Sequence, residues 1–452
     1  MRSDVISGHP TPRQQMISEE LESYLYRINP WWKGHVDFQL PKQRRWLFAP
    51  VLRKLRDGLV PIVAVCGPPC VGKTTLQMQI IQSLLDYINP NHILRVNFDE
   101  IKKEKDEKLL EICYWFEEKV FCKNFNEAAK EGQPAYIFFD EIQHLESWSS
   151  QLKHLVDHNQ VRVLITSSST LPIGPSGDSL AGRITVIETG GLTLREIARW
   201  HGLGDIPDLQ VSASALRDVE FWRSLRELGE KHRIARDAAF DAFIKRGGFP
   251  RAQMSDTSWE EICDEVVGKV VQRHRRASTL LKAVISACCQ RAGEEITNEM
   301  IRAELKQVIG STRRIAHYLR LLNETMLVRL IPTTKLGRDS GVVVSDHSLC
   351  VSLLGRRHVV VEDLAKNIVG YFLSVLSCAR LYFHSEASID FVLAIGGQNL
   401  PIQTQLSKRE ALRAFVTASE KRAPFGLIVG NQDCADDQHV ISIPLSTFLL
   451  LY

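Results

Sequence analysis

The stretch from Val60 to Ile81 constrains this chain more than any other, because it carries a complete phosphate-loop motif between a strand and a helix. The apolar run Ile62 to Val65 predicts a buried strand, and a helix is expected to begin at Lys73 or Thr74. The residues between them read G-P-P-C-V-G-K-T and match the pattern G-x-x-x-x-G-K-[ST]. A strand before the loop and a helix after it are the context in which this pattern indicates a nucleotide site.

Each part of this loop has a physical task in holding phosphate. Gly67 and Gly72 allow the backbone to turn its N–H groups toward one anion, and the following helix directs its positive end to the same place. Lys73 can reach the β- and γ-phosphates, and the Thr74 hydroxyl can hold Mg²⁺. We therefore expect ATP and Mg²⁺ as cofactors. The predicted nucleotide-binding residues are Gly67, Pro68, Pro69, Cys70, Val71, Gly72, Lys73, Thr74 and Thr75.

A second apolar run, Ala135 to Phe139, predicts a strand that is followed at once by Asp140 and Glu141. Ligands of open α/β sheets bind beyond the carboxyl ends of the strands. Asp140 is therefore predicted to hold Mg²⁺ together with Thr74, and Glu141 is predicted to polarise the attacking water. A carboxylate pair that merely caps a strand is the weaker interpretation, because this pair follows a phosphate loop. Between the two motifs, a strand is expected over 92–98 and a single aromatic-rich helix over 106–130.

Two further polar positions accompany the remaining predicted strands. Ser168 lies among four consecutive hydroxyl residues after the apolar run 161–166 and is a candidate sensor of the γ-phosphate or the water. A plain hydroxyl-rich turn is a fair competing interpretation. Arg183 precedes the last predicted strand, 184–187, and could stabilise transition-state charge on a neighbouring subunit's nucleotide. That role requires an ATP-dependent homo-oligomer, and a surface salt bridge is an equally good interpretation of Arg183.

Composition sets the outer limits. With 452 residues the chain is expected to contain roughly two to four domains. Its formal net charge of +3 is small for this size, so overall charge indicates no class of partner. The ten cysteines include no C-x-x-C pair and no zinc-ligand spacing, which favours reduced thiols in a cytoplasmic protein. Because no run of about 18 apolar residues occurs, no membrane association is expected.

These motifs and several shorter ones resemble those of the AAA+-type predicted ATPases (AAA_14 core) that carry a DUF4143 C-terminal domain. Besides the phosphate loop, the resemblance rests on N-P-W-W at 29–32, Y-I-F-F-D-E-I-Q-H-L at 136–145, W-S-S-Q-L-K at 148–153, L-I-T-S-S-S at 164–169, L-A-G-R at 180–183, L-T-L-R-E-I at 192–197 and R-G-G-F-P at 246–250. Trp31 and Trp32 of the first motif are interpreted as packing anchors at a turn.

The resemblance implies an α/β protein with a phosphate-loop NTPase core built on a parallel sheet. A helical lid, a winged helix and a C-terminal nuclease-like α/β domain are expected to follow. The implied boundaries are 1–57 for an N-terminal helical lead-in, 58–193 for the ATPase core, 194–278 for the lid, 279–345 for the winged helix and 346–452 for the C-terminal domain.

The winged-helix candidate has the element order of a helix-turn-helix. Helices are predicted over 297–305 and 313–323, with a turn between them and a wing after them. Arg313, Arg314 and Arg320 fall on the second helix and are the candidates for contacts with DNA. Winged helices also bind proteins, so a partner protein is the alternative.

The C-terminal segment departs from the family pattern where metal-dependent nuclease chemistry would lie. The resemblance implies an acidic residue in a helix, an Asp in a hairpin, and E-x-K on the next strand. Here Lys366 replaces the first acid, Asp390 is kept, and Gln403 and Gln405 occupy the last two positions. Two-metal chemistry needs several carboxylates to hold the cations. We expect this domain to bind or scaffold and not to cleave.

Together these features predict a Mg²⁺-dependent ATPase that acts on the β–γ phosphoanhydride bond. Its nucleotide state would be coupled to a nucleic-acid or protein partner. The alternative is a slow nucleotide-dependent switch or scaffold with little turnover.

Overall fold

The computed structural model describes fourteen stretches of the chain, which form two compact units. These stretches are residues 17–36, 38–101, 109–171, 180–254, 257–272, 278–305, 311–334, 340–355, 361–384, 389–404, 415–416, 419, 423–430 and 439–451. The described residues of the first unit lie within 1–65, 73–167 and 171–187, and those of the second lie within 66–72, 168–170 and 188–452.

The first unit is built on a five-stranded sheet. Its strands are β1 (Ile62–Cys66), β2 (Ile93–Asn97), β3 (Tyr136–Asp140), β4 (Arg162–Ser167) and β5 (Ile184–Glu188). They lie in the order β2-β3-β4-β1-β5, and β3 pairs in parallel with both β2 and β4. Every residue of β1 and β3 is buried, which is why their sequences are continuous apolar runs without alternation. The predicted α/β class with a parallel-sheet core is confirmed.

Six α-helices accompany this sheet among the described residues of the first unit. They are α1 (Glu19–Ile28), α2 (Phe48–Asp57), α3 (Lys73–Leu85), α4 (Leu109–Phe116), α5 (Phe125–Lys130) and α6 (Trp148–His158). The single helix predicted over 106–130 was wrong, because α4 passes into a π-helical turn, Glu117–Phe121, and ends at Cys122 in a left-handed conformation. A new helix then starts, since the Asn124 side chain accepts hydrogen bonds from the first backbone N–H groups of α5.

The N-P-W-W motif covers the exposed edge of β2. Asn29 is fully buried, and its amide donates to the carbonyl oxygens of Leu25 and Arg95 while its Oδ1 accepts from the Arg95 N–H. The indole N–H groups of Trp31 and Trp32 both donate to the carbonyl oxygen of Ile93. An edge strand presents backbone groups that need partners. The motif therefore supplies hydrogen bonds to β2 as well as packing.

The second unit begins with helices. They are α7 (Leu194–Trp200), α8 (Ala213–Leu216), α9 (Val219–Lys231), α10 (Arg233–Arg246), α11 (Pro250–Met254), α12 (Trp259–Gln272) and α13 (Ser278–Gln290). Helix α7 opens with a capping box, in which Thr193 and Glu196 satisfy each other's backbone N–H groups. Most of this segment is helical, as its periodicity predicts.

A three-stranded sheet with two further helices follows. Its elements are β6 (Glu295–Ile296), α14 (Asn298–Glu304), α15 (Thr312–Glu324), β7 (Val328–Pro332) and β8 (Ser340–Val344). The strand order is β6-β8-β7, and β8 is antiparallel to both neighbours. Two helices followed by an antiparallel pair of strands is the element order predicted for this segment.

The remainder of the second unit contains a mixed sheet. Its elements are α16 (His347–Leu354), α17 (Val361–Ser374), β9 (Arg380–Phe383), β10 (Phe391–Ile395), β11 (Gln398–Thr404), β12 (Gly426–Gly430), β13 (Val440–Pro444) and α18 (Leu445–Phe448). The order is β13-β12-β11-β10-β9, antiparallel from β9 to β11 and parallel from β11 to β13. One continuous hydrophobic cluster joins both sheets and the helices of this unit. In neither unit does a described helix combine the length and apolar character needed to cross a bilayer.

Candidate active site

The phosphate loop between β1 and α3 has an unusual backbone. Cys70 and Gly72 both have positive φ, at 64° and 91°. Residues in this region turn successive N–H groups toward a common side and form anion-binding concavities. A side chain at position 67 would collide with the carbonyl oxygen of Thr189, so only glycine fits there. The loop conformation therefore suits the phosphate-binding role that the motif predicts.

Helix α3 starts with the two residues predicted to act on the phosphates. Lys73 is its first residue and is buried, whereas Thr74 is exposed. The helix is 13 residues long, so its amino end has the partial positive charge that attracts an anion. The Thr74 hydroxyl donates to Asp140 Oδ1 at 3.3 Å. Thr74 and Asp140, predicted as the Mg²⁺ pair, are thus brought together.

Asp140 ends β3 with only 1% of its surface exposed. Its Oδ1 also accepts a hydrogen bond from the Thr166 hydroxyl, and its Oδ2 accepts one from Arg95 Nη2 at 2.8 Å. A buried carboxylate is tolerated only with such partners. Neither Arg95 nor Thr166 was singled out from the sequence. Thr166 carries a usable signal, because it ends an apolar run that pairs with β3, whereas nothing near Arg95 marks it.

Glu141, the predicted catalytic residue, has a left-handed backbone with φ of 52°. A non-glycine residue in this region stores strain that the surrounding structure must hold in place. Its backbone N–H donates to Thr166 Oγ1 at 3.1 Å, and its carboxylate accepts a hydrogen bond from Gln143 Nε2. The Thr166 hydroxyl therefore links the two acidic residues that follow one another at the end of β3.

Arg183 lies beside the first residue of β1. Its carbonyl oxygen accepts from the N–H of Ile62, the first residue of β1, whereas the loop leaves β1 at the opposite end. The five residues of β1 separate these ends by about 13 Å. The guanidinium forms an ion pair with Asp157. This hydrogen bond lowers the pKa of Asp157 and raises that of Arg183. Within a single chain, Arg183 therefore forms a salt bridge, which is the alternative interpretation given to it from the sequence.

The loop residue Cys70 lies beside a charged cluster on α11 and α12. Lys269 Nζ donates to Cys70 Sγ at 3.4 Å, and the thiol donates to Glu265 at 3.7 Å. Glu265 also forms ion pairs with Lys269 and Arg251. Burial would raise the pKa of Glu265, but the two cations outweigh it and hold that pKa below its ordinary value.

Ser168, the candidate sensor, is buried.

The residues present suit a Mg²⁺ ion that arrives with a nucleotide. Within the described stretches, no group of three or more His, Cys, Asp or Glu side chains could hold a metal by itself. Thr74, which lies two residues after Gly72 in the chain, and Asp140 offer two oxygen ligands to such an ion. Mg²⁺ is commonly held by one or two protein oxygens, with phosphates and waters as its other ligands.

In the C-terminal sheet, Lys366 and Asp390 form an ion pair of 2.7 Å. The other carboxylate oxygen of Asp390 accepts from the backbone N–H and the hydroxyl of Thr404 at 2.7 and 2.6 Å. Gln403 Nε2 donates to the carbonyl oxygen of Thr404, and Gln405 lies outside the described residues. The one acid kept from the family pattern is thus bonded to protein groups.

The second helix of the predicted helix-turn-helix, α15, presents a basic face. Arg313, Arg314 and Arg320 are exposed on it, together with His317. None of the acidic side chains in the described stretches forms a salt bridge with these three arginines. The opposite face of α15 is apolar and buried, through Ile315, Leu319 and their neighbours. These three arginine side chains are thus exposed on α15.

Comparison with known proteins supports the core assignment. Residues 60–198 match the family model AAA_14, described as an AAA domain. The AAA+-type ATPase core predicted from the motifs is thereby confirmed, while the DUF4143 resemblance stays a prediction. Over 442 residues the chain is 22% identical to the uncharacterized protein MJ1637 of Methanocaldococcus jannaschii, covering 93% of this chain and 89% of the relative.

Two solved structures show weaker similarity. The Walker-type ATPase PABY2304 of Pyrococcus abyssi is 16% identical with a TM-score of 0.42, over 71% of this chain and 99% of that one. The Orc1 protein of Aeropyrum pernix in complex with DNA is 12% identical with a TM-score of 0.31, over 71% of this chain and 94% of that one.

Proposed function

We propose that this protein binds ATP with Mg²⁺ and hydrolyses its β–γ phosphoanhydride bond. The observation that carries the proposal is the arrangement at the ends of β3 and β4. There the Thr166 hydroxyl bonds both the Asp140 carboxylate and the Glu141 backbone, and Thr74 bonds the same carboxylate. The residues proposed for metal binding and for water activation thus share one network of hydrogen bonds. The AAA-domain match over residues 60–198 supports the same assignment.

In the proposed reaction the phosphate loop and Lys73 bind the β- and γ-phosphates and offset their charge. When bound, Mg²⁺ would neutralise charge on the phosphate oxygens, and Thr74 and Asp140 are the residues that would hold it. Glu141 orients a water and accepts its proton as the water oxygen bonds to the γ-phosphorus. The bond from that phosphorus to the bridging oxygen breaks, and ADP leaves with the electron pair.

Two substitutions separate binding from chemistry. Lys73→Ala removes the point charge at the phosphates, so affinity for a fluorescent ATP analogue is expected to be lost. Glu141→Gln keeps the shape of the side chain but cannot accept a proton, so ATP stays bound while phosphate release falls by about 100-fold or more. Glu146→Gln, an exposed acid a few residues later, is the matched control and should keep wild-type turnover. Wild-type turnover in Glu141→Gln would refute the catalytic assignment.

A slow nucleotide-dependent switch is the second candidate. It is favoured by the ion pair between Arg183 and Asp157, because a role of Arg183 at a neighbouring subunit would require this pair to open. It is also favoured by the contacts of Asp140, whose two oxygens are both hydrogen-bonded to protein groups. Tight ATP binding with negligible turnover in the wild type would identify the switch, and turnover well above that of Glu141→Gln would identify the ATPase.

We further propose that α15 binds the phosphates of double-stranded DNA, with a partner protein as the alternative. Arg313, Arg314 and Arg320 are exposed on one helix without salt bridges to described acidic residues. Each phosphate contact contributes about −0.9 to the slope of log affinity against log salt. Replacing Arg314 by Gln should therefore flatten that slope, whereas Arg223→Gln, on α9, should not. Absence of salt-dependent DNA binding by the wild type would favour the partner protein. We also propose that the protein is cytoplasmic and that it forms a homo-oligomer when ATP is bound.

A further inference from the structure

Arg95 connects the acid at the end of β3 to the helix that follows the phosphate loop. It lies on β2 opposite Phe138 of β3 and is 8% exposed. Its Nη2 donates to Asp140 Oδ2 at 2.8 Å, and its Nε donates at 3.0 Å to Oε1 of Gln77, a fully buried residue of α3. One guanidinium therefore bridges the carboxylate predicted to hold Mg²⁺ and the helix that carries Lys73 and Thr74.

The backbone of Arg95 is itself held from outside the sheet. Asn29 bonds both its N–H group, at 2.6 Å, and its carbonyl oxygen, at 2.9 Å. A side chain as long as arginine can adopt many rotamers, and anchoring its backbone restricts where the guanidinium can lie. The contact with Asp140 is therefore built in by the N-terminal segment and does not depend on a mobile surface residue.

The charge of Arg95 has two opposing effects at this place. Asp140 is almost completely buried, and an ionised carboxylate without a cation would be strongly disfavoured there. Arg95 supplies that cation when no metal is bound and leaves Oδ1 facing the Thr74 hydroxyl. The same positive charge repels a divalent cation that approaches Asp140. A metal should therefore bind only when the nucleotide phosphates contribute further negative charge.

We propose that Arg95 is a positioning residue that balances the charge of Asp140 and makes Mg²⁺ binding dependent on the nucleotide. This inference rests on the proposed ATPase function. Arg95 is expected to determine the Mg²⁺ concentration at which the effect on nucleotide binding is half-maximal. The test therefore measures binding and not turnover.

The test measures affinity for a fluorescent ATP analogue as a function of free Mg²⁺. Arg95→Met removes the charge and keeps an unbranched side chain, so the Mg²⁺ concentration at half-maximal effect should fall by about tenfold. Arg95→Lys keeps the charge and should stay within about twofold of the wild type. Without nucleotide, Mn²⁺ binding should be detectable in Arg95→Met but not in the wild type or in Arg95→Lys. The electron paramagnetic resonance signal of Mn²⁺ measures this binding.

Each outcome decides between charge balance and simple packing. An unchanged or higher Mg²⁺ requirement in Arg95→Met, or the same shift in Arg95→Lys, overturns the proposal. If Arg95→Met does not fold, the double variant Arg95→Met/Asp140→Asn, which removes both charges, should fold. A double variant that is equally unfolded also overturns the proposal. Failure of the wild type to bind the analogue, with or without Mg²⁺, would instead refute the proposed function.

Discussion

Replacing Asn29 by alanine is expected to loosen β2 and the arginine on it. The Asn29 side chain makes three hydrogen bonds to backbone groups, one of Leu25 and two of Arg95, and is fully buried. A buried hydrogen bond contributes about 1 kcal/mol net to stability. Losing three of them should therefore lower the free energy of local opening at β2 by about 3 kcal/mol. The two groups of Arg95 belong to the edge strand, where they would be left without a protein partner. The cost should therefore not fall below this figure.

Hydrogen exchange on peptides covering 93–97 is the appropriate assay. A chain with two compact units is not expected to unfold in one step, so a local measurement is more informative than a global midpoint. A loss of about 3 kcal/mol corresponds to exchange that is faster by roughly 100-fold, provided that these amides exchange by local opening. Asn29→Asp should behave similarly, because a carboxylate cannot donate to the two carbonyl oxygens.

Asn126→Ala is the matched control. Its side chain also bonds one carbonyl oxygen, of His158, and one N–H group, of Gln160, but both bonds are exposed to water. Water can replace them, so exchange in 93–97 should stay unchanged. Exchange in Asn29→Ala that is less than about threefold faster than in the wild type would refute the view that the N-P-W-W motif secures β2.

Three other predictions concern separate parts of the chain. Incubation with DNA or RNA in Mg²⁺ or Mn²⁺ should give no cleavage, because Lys366 already neutralises Asp390; cleavage that is lost in Asp390→Ala would contradict this. Arg183→Ala should lower turnover without weakening ATP binding, and in mixtures its inactive subunits should also lower the turnover of wild-type subunits. A protein that is fully active as an ATP-bound monomer would exclude a role of Arg183 at a neighbouring subunit. The depressed pKa of Glu265 means that its ion pairs stabilise the fold above its ordinary pKa of about 4.5 and are lost as pH falls through the lower, folded value. The difference in hydrogen exchange of peptides covering 259–272 between wild type and Glu265→Gln should therefore be present at pH 7 and shrink on acidification below about pH 4.5. A difference that persists in acid would refute the charge argument.

The parts of the site that could be predicted are those whose residues are adjacent in the chain. The phosphate loop requires glycines at fixed positions, because a side chain at position 67 would strike Thr189 and Gly72 has a positive φ. Asp140 ends, and Glu141 follows, a strand that must be apolar, since both of its faces are buried. These constraints are local, so the motif and its flanking pattern suffice to recognise them.

The partners that tune these residues come from distant parts of the chain, and only the folded structure brings them together. Arg95 reaches Asp140 because β2 and β3 are neighbours in the sheet, and Asn29 reaches Arg95 because β2 is an edge strand. The sequence also did not predict that Arg183 pairs with Asp157, since an isolated arginine is compatible with both a salt bridge and a catalytic role. Glycine spacing and apolar runs thus specify the phosphate site, whereas strand order decides which charges meet there, because ion pairs depend on proximity in space.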